Sequence, residues 1–328
     1  MAITLYAIDD YYLTATLLIT ITYQLFFFTI AFALRFDKLT DFAGGTNFVL
    51  LAIVTLCFSG VTDVRNIVAS VFMMVWGARL SGFLLFRILK TGQDDRFNGM
   101  RDKFLPFLGF WLFQMLWVWT VSLPLTILNS PSTTAHSPLP PFTTPLDILG
   151  SILFLAGLAT ETLADTQKYL FRSSAAAASN KALFMDSGLW RYSRHPNYFG
   201  EILLHLGIWL VAIAPAAQGA VTGRAAAALY GSVVGPLVLA GLLLFVSGVS
   251  LQERPAARRR WEMGRGWEEY SEYLRRTSVL VPMPRRVWER LPVAVKRTVG
   301  LEFPMYVFDP ATMGGDGDGR ALRAGDAT

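Results

Sequence analysis

The chain has 328 residues, of which 53% are hydrophobic and only 16% are charged. A soluble domain carries roughly 25% charged residues, and a soluble chain of this size has too little interior to hide so many apolar side chains. Most of them must therefore face lipid. A secreted disulfide scaffold is excluded because Cys57 is the only cysteine, and an iron site built on many histidines is excluded because the chain has only three.

Long uncharged stretches predict an all-α fold, a polytopic membrane bundle of about seven transmembrane helices. A helix needs about 20 apolar residues to cross the hydrocarbon of a bilayer. The predicted spans are 11–34, 42–60, 66–89, 104–128, 146–167, 197–216 and 228–250. The second is the weakest, because Gly44 and Gly45 at its start also allow a re-entrant segment. No cleavage pattern precedes the first span, so we expect it to be retained.

The basic residues predict the orientation of these spans. All of the 29 Lys and Arg residues except Arg65, Arg79 and Arg224 lie at the ends of spans one, three and five, in the loops that follow these spans, or after span seven. The positive-inside rule makes that side cytosolic, with the N-terminus lumenal or outside. We expect an integral membrane protein, of the endoplasmic reticulum in a eukaryote or the inner membrane in a bacterium. The net charge of +5 is then a topology signal, and we infer no nucleic-acid binding from it.

Composition divides the chain into three parts. Residues 1–284 contain the predicted transmembrane domain. Residues 285–310 mix basic and apolar side chains, which predicts an amphipathic segment on the membrane surface. Residues 311–328 are rich in Gly, Asp and Ala and are expected to be disordered.

Ionisable groups at the predicted cytosolic ends of the spans are the candidate functional residues, because such groups are expensive in a bilayer. On span three, Arg79 lies eleven residues before Lys90, about 16 Å deeper along a helix. That is too deep for easy snorkelling, so Arg79 meets either an anionic ligand or a carboxylate that locks helix packing. Arg87 follows two turns later on a neighbouring face.

A second cluster lies at the end of span five. Glu161, Asp165, Lys168 and Arg172 share the spacing i, i+4, i+7 and i+11, which places them on one helical stripe. Alternating signs on a stripe can support the helix end alone. A structural and a ligand-binding role both remain open here.

The third cluster, GLWRYSRHPNYFGEILLHLGIWL, spans residues 188–210. Pro196 suits the first turn of a helix, on which Asn197, Glu201 and His205 form a polar stripe. A metal at Glu201 and His205 is disfavoured because no third ligand lies at suitable spacing, and we interpret His205 as a hydrogen-bonded interior histidine.

Basic side chains precede the predicted start of that helix. Arg191, Arg194 and His195 meet its N-terminus, where backbone N–H groups and the helix dipole favour an anion. This combination predicts a phosphate site.

These motifs resemble a known family. The string GLWRYSRHPNYFGE, the preceding ADTQK–FR segment and the following G-x-G-W-E-E-Y-x-x-Y-x-R-x-T-S-x-x-x-P pattern are similar to the steroid 5-alpha-reductase C-terminal family, most closely its broad bacterial and fungal branch. The WGARL–R–GQDDRF segment and TDFAGG at 40–45 also fit, so the resemblance covers roughly 40–282. Sterol C14- and delta-7-reductases share parts of the pattern. Isoprenylcysteine carboxyl methyltransferases share RHP-x-Y-x-G but carry a downstream Glu-Glu pair, where this chain has Glu253 and Arg254.

The resemblance implies a seven-helix reductase that holds NADPH between its C-terminal helices. By motif, the residues implied to line the nicotinamide and phosphates are Trp190, His195, Asn197, Tyr198 and Glu201. The adenosine half would meet Asp165, Lys168 and Arg172, and the site would be closed by Arg254, Tyr270 and Tyr273, with Arg79 and Arg87 as further matches. No G-x-G-x-x-G follows a predicted strand, so a dinucleotide would have to bind by this route.

The leading hypothesis is reduction of an enone-type double bond in a lipophilic substrate by NADPH, with Tyr198 as the possible proton donor and Glu201 as its orienter. The acid–phenol pair of the steroid reductases' early helices has no clear counterpart here. Two alternatives stay open. One is methyl transfer from S-adenosylmethionine to a lipidic carboxylate or headgroup, and the other is a non-catalytic lipid-binding membrane protein.

Overall fold

The computed structural model describes residues 9–35, 38–91, 99–174, 184–264 and 266–313. Helices make up 75% of the structure, and within these ranges the only β geometry is an isolated parallel bridge between Ser193 and Ser278. The all-α prediction is confirmed. The GQDDRF segment and the predicted disordered tail beyond residue 313 lie outside the described residues.

The helices follow the predicted spans closely. They are α1 (Leu13–Ala33), α2 (Leu39–Ser59), α3 (Val64–Thr91), α4 (Phe104–Val121), α5 (Leu123–Leu128), α6 (Pro131–Thr134), α7 (Pro145–Arg172), α8 (Pro196–Ala217), α9 (Gly223–Gly231), α10 (Val234–Gly241), α11 (Val249–Met263), α12 (Trp267–Arg276), α13 (Arg285–Arg290), α14 (Val293–Arg297) and α15 (Pro310–Met313). In the described part of the chain, seven segments are long and apolar enough to cross a membrane: α1, α2, α3, α4, α7, α8 and Gly223–Glu262. The second span is one continuous 21-residue helix, which favours a spanning rather than a re-entrant segment.

The seventh span, expected as one helix over 228–250, is interrupted. Its 40 residues comprise α9, α10, a π-helical turn at Leu242–Val246 and α11. A π turn accommodates one extra residue, and it changes which side chains share a helix face. The backbone of Gly248, at φ −109° and ψ −101°, then departs from helical geometry just before α11.

The described residues form two compact units. The first unit comprises the chain up to Leu158 together with Glu201–Ala240, and the second comprises Ala159–Gly200 and the chain from Gly241. In the first unit α2 and α3 pack closely, because a Cβ at Gly45 would meet the Ser81 hydroxyl oxygen at 2.2 Å. Small residues at such contacts let transmembrane helices approach.

Amide side chains link three spans inside the first unit. Gln114 donates to Gln24 Oε1 at 2.9 Å, and Gln24 donates to Asn47 Oδ1 at 3.0 Å. All three side chains are buried. His205, also in this unit, hydrogen-bonds through Nδ1 to the Glu201 carbonyl oxygen at 2.9 Å and is 2% exposed, so the prediction of an interior, hydrogen-bonded histidine is confirmed.

A buried ion pair anchors the loop before α7 in the first unit. Arg65 donates from Nε and Nη2 to the two carboxylate oxygens of Asp147, both at 2.8 Å. Its guanidinium also donates to the carbonyl oxygens of Pro140 and Pro141. Asp147 in turn accepts from the Thr144 backbone N–H, and its own N–H donates to the Thr144 hydroxyl, a capping box at the start of α7.

Candidate functional site

The candidate site is built on residues 188–195, which precede α8 in the second unit. Gly188 has a φ of +58°, and a Cβ there would meet the Gln167 side chain at 2.5 Å, so this turn requires glycine. Gln167 Oε1 accepts from the Leu189 N–H at 3.0 Å, and the Trp190 indole donates to the Ala164 carbonyl oxygen at 3.0 Å. Both bonds fix the turn onto the end of α7.

The segment after α12 fixes the same residues from the other direction. The Arg194 N–H donates to the Ser278 carbonyl oxygen at 2.8 Å, and the Ser193 hydroxyl donates to the Leu280 carbonyl oxygen at 2.7 Å. The Tyr273 hydroxyl donates to the Trp190 carbonyl oxygen at 2.9 Å. The geometry of this loop is thus set by hydrogen bonds in which each pair includes a backbone group, and the side chains of Arg194 and His195 remain to form the site.

Two carboxylates converge on one buried arginine. Arg194 donates from Nη1 to Glu253 Oε2 at 2.6 Å and from Nη2 to Glu302 Oε1 at 2.7 Å. The other oxygen of Glu253 lies 2.7 Å from His195 Nε2. Arg194, His195 and Glu253 are each less than a tenth exposed, whereas the Glu302 side chain is 22% exposed. We call these four residues the Arg194 cluster.

Burial and charge determine the protonation states in this cluster. Burial alone would lower the pKa of Arg194, but the carboxylates of Glu253 and Glu302 outweigh it and raise that pKa, so the guanidinium stays charged. Burial lowers the pKa of His195, and its hydrogen bond with Glu253 offsets this only in part. His195 is therefore neutral near pH 7. Because a carboxylate only accepts, Nε2 carries the proton and Nδ1 is left as an acceptor.

Three polar atoms beside these ion pairs have unused hydrogen-bonding capacity. Among the described residues, Arg194 Nε, His195 Nδ1 and Asn197 Oδ1 are buried without a hydrogen-bond partner. Buried polar atoms are nearly always paired in native proteins, and unpaired ones call for an explanation. One donor and two acceptors thus lie on four consecutive residues at the N-terminus of α8.

Aromatic rings surround the cluster. The Tyr198 ring stacks on His195 with centroids 5.2 Å apart and planes 1° apart, and its hydroxyl accepts a hydrogen bond from Gln252 Nε2. Lys168 Nζ lies 4.2 Å from the Trp190 ring centroid. Burial raises the pKa of Tyr270 to about 12, so this buried phenol stays neutral.

The structure brings together most of the residues that the sequence motifs indicate. The second unit holds Trp190, Arg194, His195, Tyr198, Tyr270 and Tyr273 around the Arg194 cluster, with Lys168 against Trp190. Asn197 and Asp165 are half-buried in the same unit, and Arg172 and Arg191 are exposed there. Arg254 is exposed as well, and its neighbour Glu253 occupies the buried position instead.

The remaining predicted residues belong to the first unit. Arg79 lies 5.6 Å from the Phe83 ring centroid, and Arg87 Nη2 lies 3.8 Å from Asp41 Oδ2, which supports a packing role for Arg87. Glu201 is 9% exposed on α8. Within the described ranges, no group of three His, Cys, Asp or Glu side chains is placed to hold a metal ion.

Sequence reasoning missed three residues of the site. Glu253 carried a signal, because an acidic residue close behind an apolar span is costly unless it is paired. Gln252 precedes it and reaches Tyr198. Glu302 carried no signal, since it stands more than 100 residues from Arg194 in a segment expected on the membrane surface.

A comparison with protein families identifies the family of this chain. Residues 27–277 match the family described as "Protein of unknown function (DUF1295)". The chain belongs to this family. The match includes Arg194, His195 and Glu253, and it ends before Glu302. A search of curated proteins finds no match, and a search of solved structures finds none either.

Proposed function

We propose that this protein is a membrane-embedded reductase that uses NADPH to reduce an activated, enone-type C=C bond in a lipophilic substrate such as a steroid, a sterol or another lipid. The observation that carries the proposal is the set of unpaired buried atoms on Arg194, His195 and Asn197. They lie on the SRHPNYFGE string, which is the strongest part of the resemblance to the steroid 5-alpha-reductase C-terminal family.

The donor set fits a dinucleotide with an amide at its reactive end. His195 Nδ1 and Asn197 Oδ1 are acceptors that suit the N–H groups of a carboxamide, as in nicotinamide. Lys168, Arg172 and Arg191 are cations of the same unit that suit phosphate oxygens. When bound, NADPH would supply the hydride, and the protein would supply orientation and an acid.

Tyr198 is the candidate acid. Its hydroxyl accepts a hydrogen bond from Gln252, and a phenol that accepts a hydrogen bond can also donate one through its O–H. A phenol that is held by stacking on His195 can donate to a substrate carbonyl oxygen as negative charge develops there. The expectation that Glu201 orients this donor stays a prediction.

One observation favours methyl transfer from S-adenosylmethionine as a second candidate. The Arg194 cluster holds two carboxylates and one guanidinium, and a neutral His195 adds no charge. The excess negative charge of the cluster attracts a sulfonium cation. It repels a phosphate, which can bind only if other cations around the cluster offset the carboxylates. The two cofactors therefore make opposite demands on the carboxylates.

Thermal-shift titration of the detergent-purified protein with NADPH, NADH and S-adenosylmethionine tests the proposal. We expect stabilisation by NADPH and a smaller shift with NADH, which lacks the 2′-phosphate. Stabilisation by S-adenosylmethionine alone would establish the second candidate instead. A folded protein that responds to none of the three would indicate a lipid-binding protein without either cofactor.

A further inference from the structure

The two carboxylates on Arg194 are not equivalent. Glu253 is buried, bonds His195 as well and lies within the family match. Glu302 makes one 2.7 Å bond to Arg194 Nη2, is the more exposed of the two and lies beyond the family match. Glu302 can therefore leave the guanidinium without depriving a second buried group of its partner, whereas departure of Glu253 would also break its bond with His195.

Charge balance favours the departure of one of them when an anion enters. The charge of Lys168 acts on His195 and on Glu253, so Lys168 and Arg194 together offset the charges of Glu253 and Glu302. An added phosphate would leave the buried group with excess negative charge, which is costly where little water can screen it. Departure of Glu302 restores the balance and frees Arg194 Nη2 beside the unpaired Nε.

The backbone is strained just before Glu302 and anchored after it. We call residues 300–308 the C-terminal strap. Leu301 has a φ of 56°, a left-handed conformation that costs energy for a branched residue, and it immediately precedes Glu302. The Tyr306 hydroxyl donates to the Leu244 carbonyl oxygen at 2.8 Å, and Phe308 packs with Tyr270. The strap is thus held in place while it presents Glu302 to Arg194.

We propose that Glu302 is an exchangeable counterion: an anionic group of the bound ligand takes its place on Arg194, and the strap around Leu301 relaxes. The proposal rests on the proposed function for the identity of that group, a phosphate of NADPH. Glu302 is then a positioning residue that keeps the guanidinium charged and oriented until the ligand arrives and that opposes every anion at the site.

Binding of two probes to the full-length, detergent-purified protein tests the exchange. Dissociation constants for NADPH and for inorganic pyrophosphate are measured in the wild type, in Glu302→Gln and in the control Glu289→Gln. The control removes an exposed acid that pairs with Arg276 at 2.7 Å. We expect about 10-fold tighter binding of both probes in Glu302→Gln, a typical coupling between competing groups, and no change in the control.

The outcomes separate this inference from the proposed function. If pyrophosphate binds more tightly to Glu302→Gln but none of the three proteins binds NADPH, the exchange is supported and NADPH is ruled out as the cofactor. If Glu302→Gln binds NADPH as tightly as the wild type or more weakly, the exchange is overturned, while NADPH remains supported as the cofactor. Failure of both probes in all three proteins overturns the exchange, and so does S-adenosylmethionine binding that depends on Glu302.

Hydrogen–deuterium exchange of the wild type covers the case in which Glu302→Gln does not fold. The Glu302 N–H donates to the Lys296 carbonyl oxygen at 2.9 Å. With saturating pyrophosphate we expect faster exchange at the amides of the strap, because Leu301 relaxes when Glu302 leaves Arg194. Unchanged or slower exchange there contradicts the proposal.

Discussion

Two buried arginines of this protein differ in how fully their guanidinium groups are bonded. All three nitrogens of Arg65 donate, to Asp147 and to two carbonyl oxygens, and both partners of the pair are almost wholly buried. Arg194 is buried as well, but its Nε has no partner among the described residues and one of its carboxylates is partly exposed. Full bonding is what a structural role requires of Arg65, whereas the open Nε of Arg194 is one of the atoms that we propose to meet a ligand.

The largest expected effect is on the saturated arginine. Arg65→Ala should lower the free energy of unfolding by about 3–5 kcal/mol, because it leaves the buried Asp147 carboxylate without its cation. Chemical denaturation of the purified protein measures this. The control Arg224→Ala removes an exposed arginine and should change stability by no more than about 0.5 kcal/mol. Equal effects of the two substitutions would show that the Arg65 pair is not structural.

The next effect tests chemistry at the incompletely bonded site. Tyr198→Phe removes the candidate proton donor but keeps the ring stacked on His195, so kcat should fall roughly 100-fold while NADPH affinity changes little. Steady-state NADPH oxidation with an enone lipid measures kcat, and a binding titration measures the affinity for NADPH. Tyr192→Phe, at an exposed tyrosine in the same loop, is the matched control. An unchanged kcat in Tyr198→Phe assigns the acid to another residue.

A pH effect should distinguish the Arg194 cluster as well. Because the pKa of folded His195 is lowered, the unfolded chain binds more protons below its pKa of about 6.5, and stability falls as the pH falls. The loss is at most about 1.4 kcal/mol per pH unit, and it is absent well above pH 6.5. His195→Gln should lack this component when unfolding is measured between pH 7.5 and 5. Parallel pH profiles for both proteins would contradict a neutral His195.

The smallest effect concerns the loop that carries the cluster. Tyr273→Phe deletes the hydroxyl that donates to the Trp190 carbonyl oxygen and should cost about 0.5–1.5 kcal/mol of stability. Burial raises the pKa of Tyr273, so the hydroxyl remains a donor across the measurable range. Thermal unfolding of this variant is compared with Tyr230→Phe, at an exposed tyrosine. If Tyr273→Phe loses no more stability than Tyr230→Phe, the hydrogen bond from Tyr273 to Trp190 does not stabilise the loop.

Hydropathy was enough to predict the spans, because each one needs a long apolar stretch whatever it packs against. Pro196 likewise predicted the start of α8, since proline is best tolerated in the first turn of a helix. The choice between Glu253 and Arg254 could not be made in this way. The two side chains are adjacent in α11, and the π turn before that helix changes its helical phase relative to the apolar pattern.

Contacts that are remote in sequence were also out of reach. Glu302 meets Arg194 only because the chain turns through the left-handed Leu301 and is held by Tyr306. Neither the turn nor the anchor has a short-range pattern. The interruption of the seventh span had a similar origin, since a π turn in a uniformly apolar run leaves hydropathy unchanged.

We propose that the unpaired atoms before and within the first turn of α8 bind NADPH. Isothermal titration of NADPH into the wild type and into Asn197→Leu tests it most directly, with Gln218→Leu, an exposed amide, as the control. We predict saturable binding to the wild type and to Gln218→Leu. Binding to Asn197→Leu should be weaker by at least about 10-fold. Binding that is equal in all three proteins, or detected in none of them, would contradict the claim.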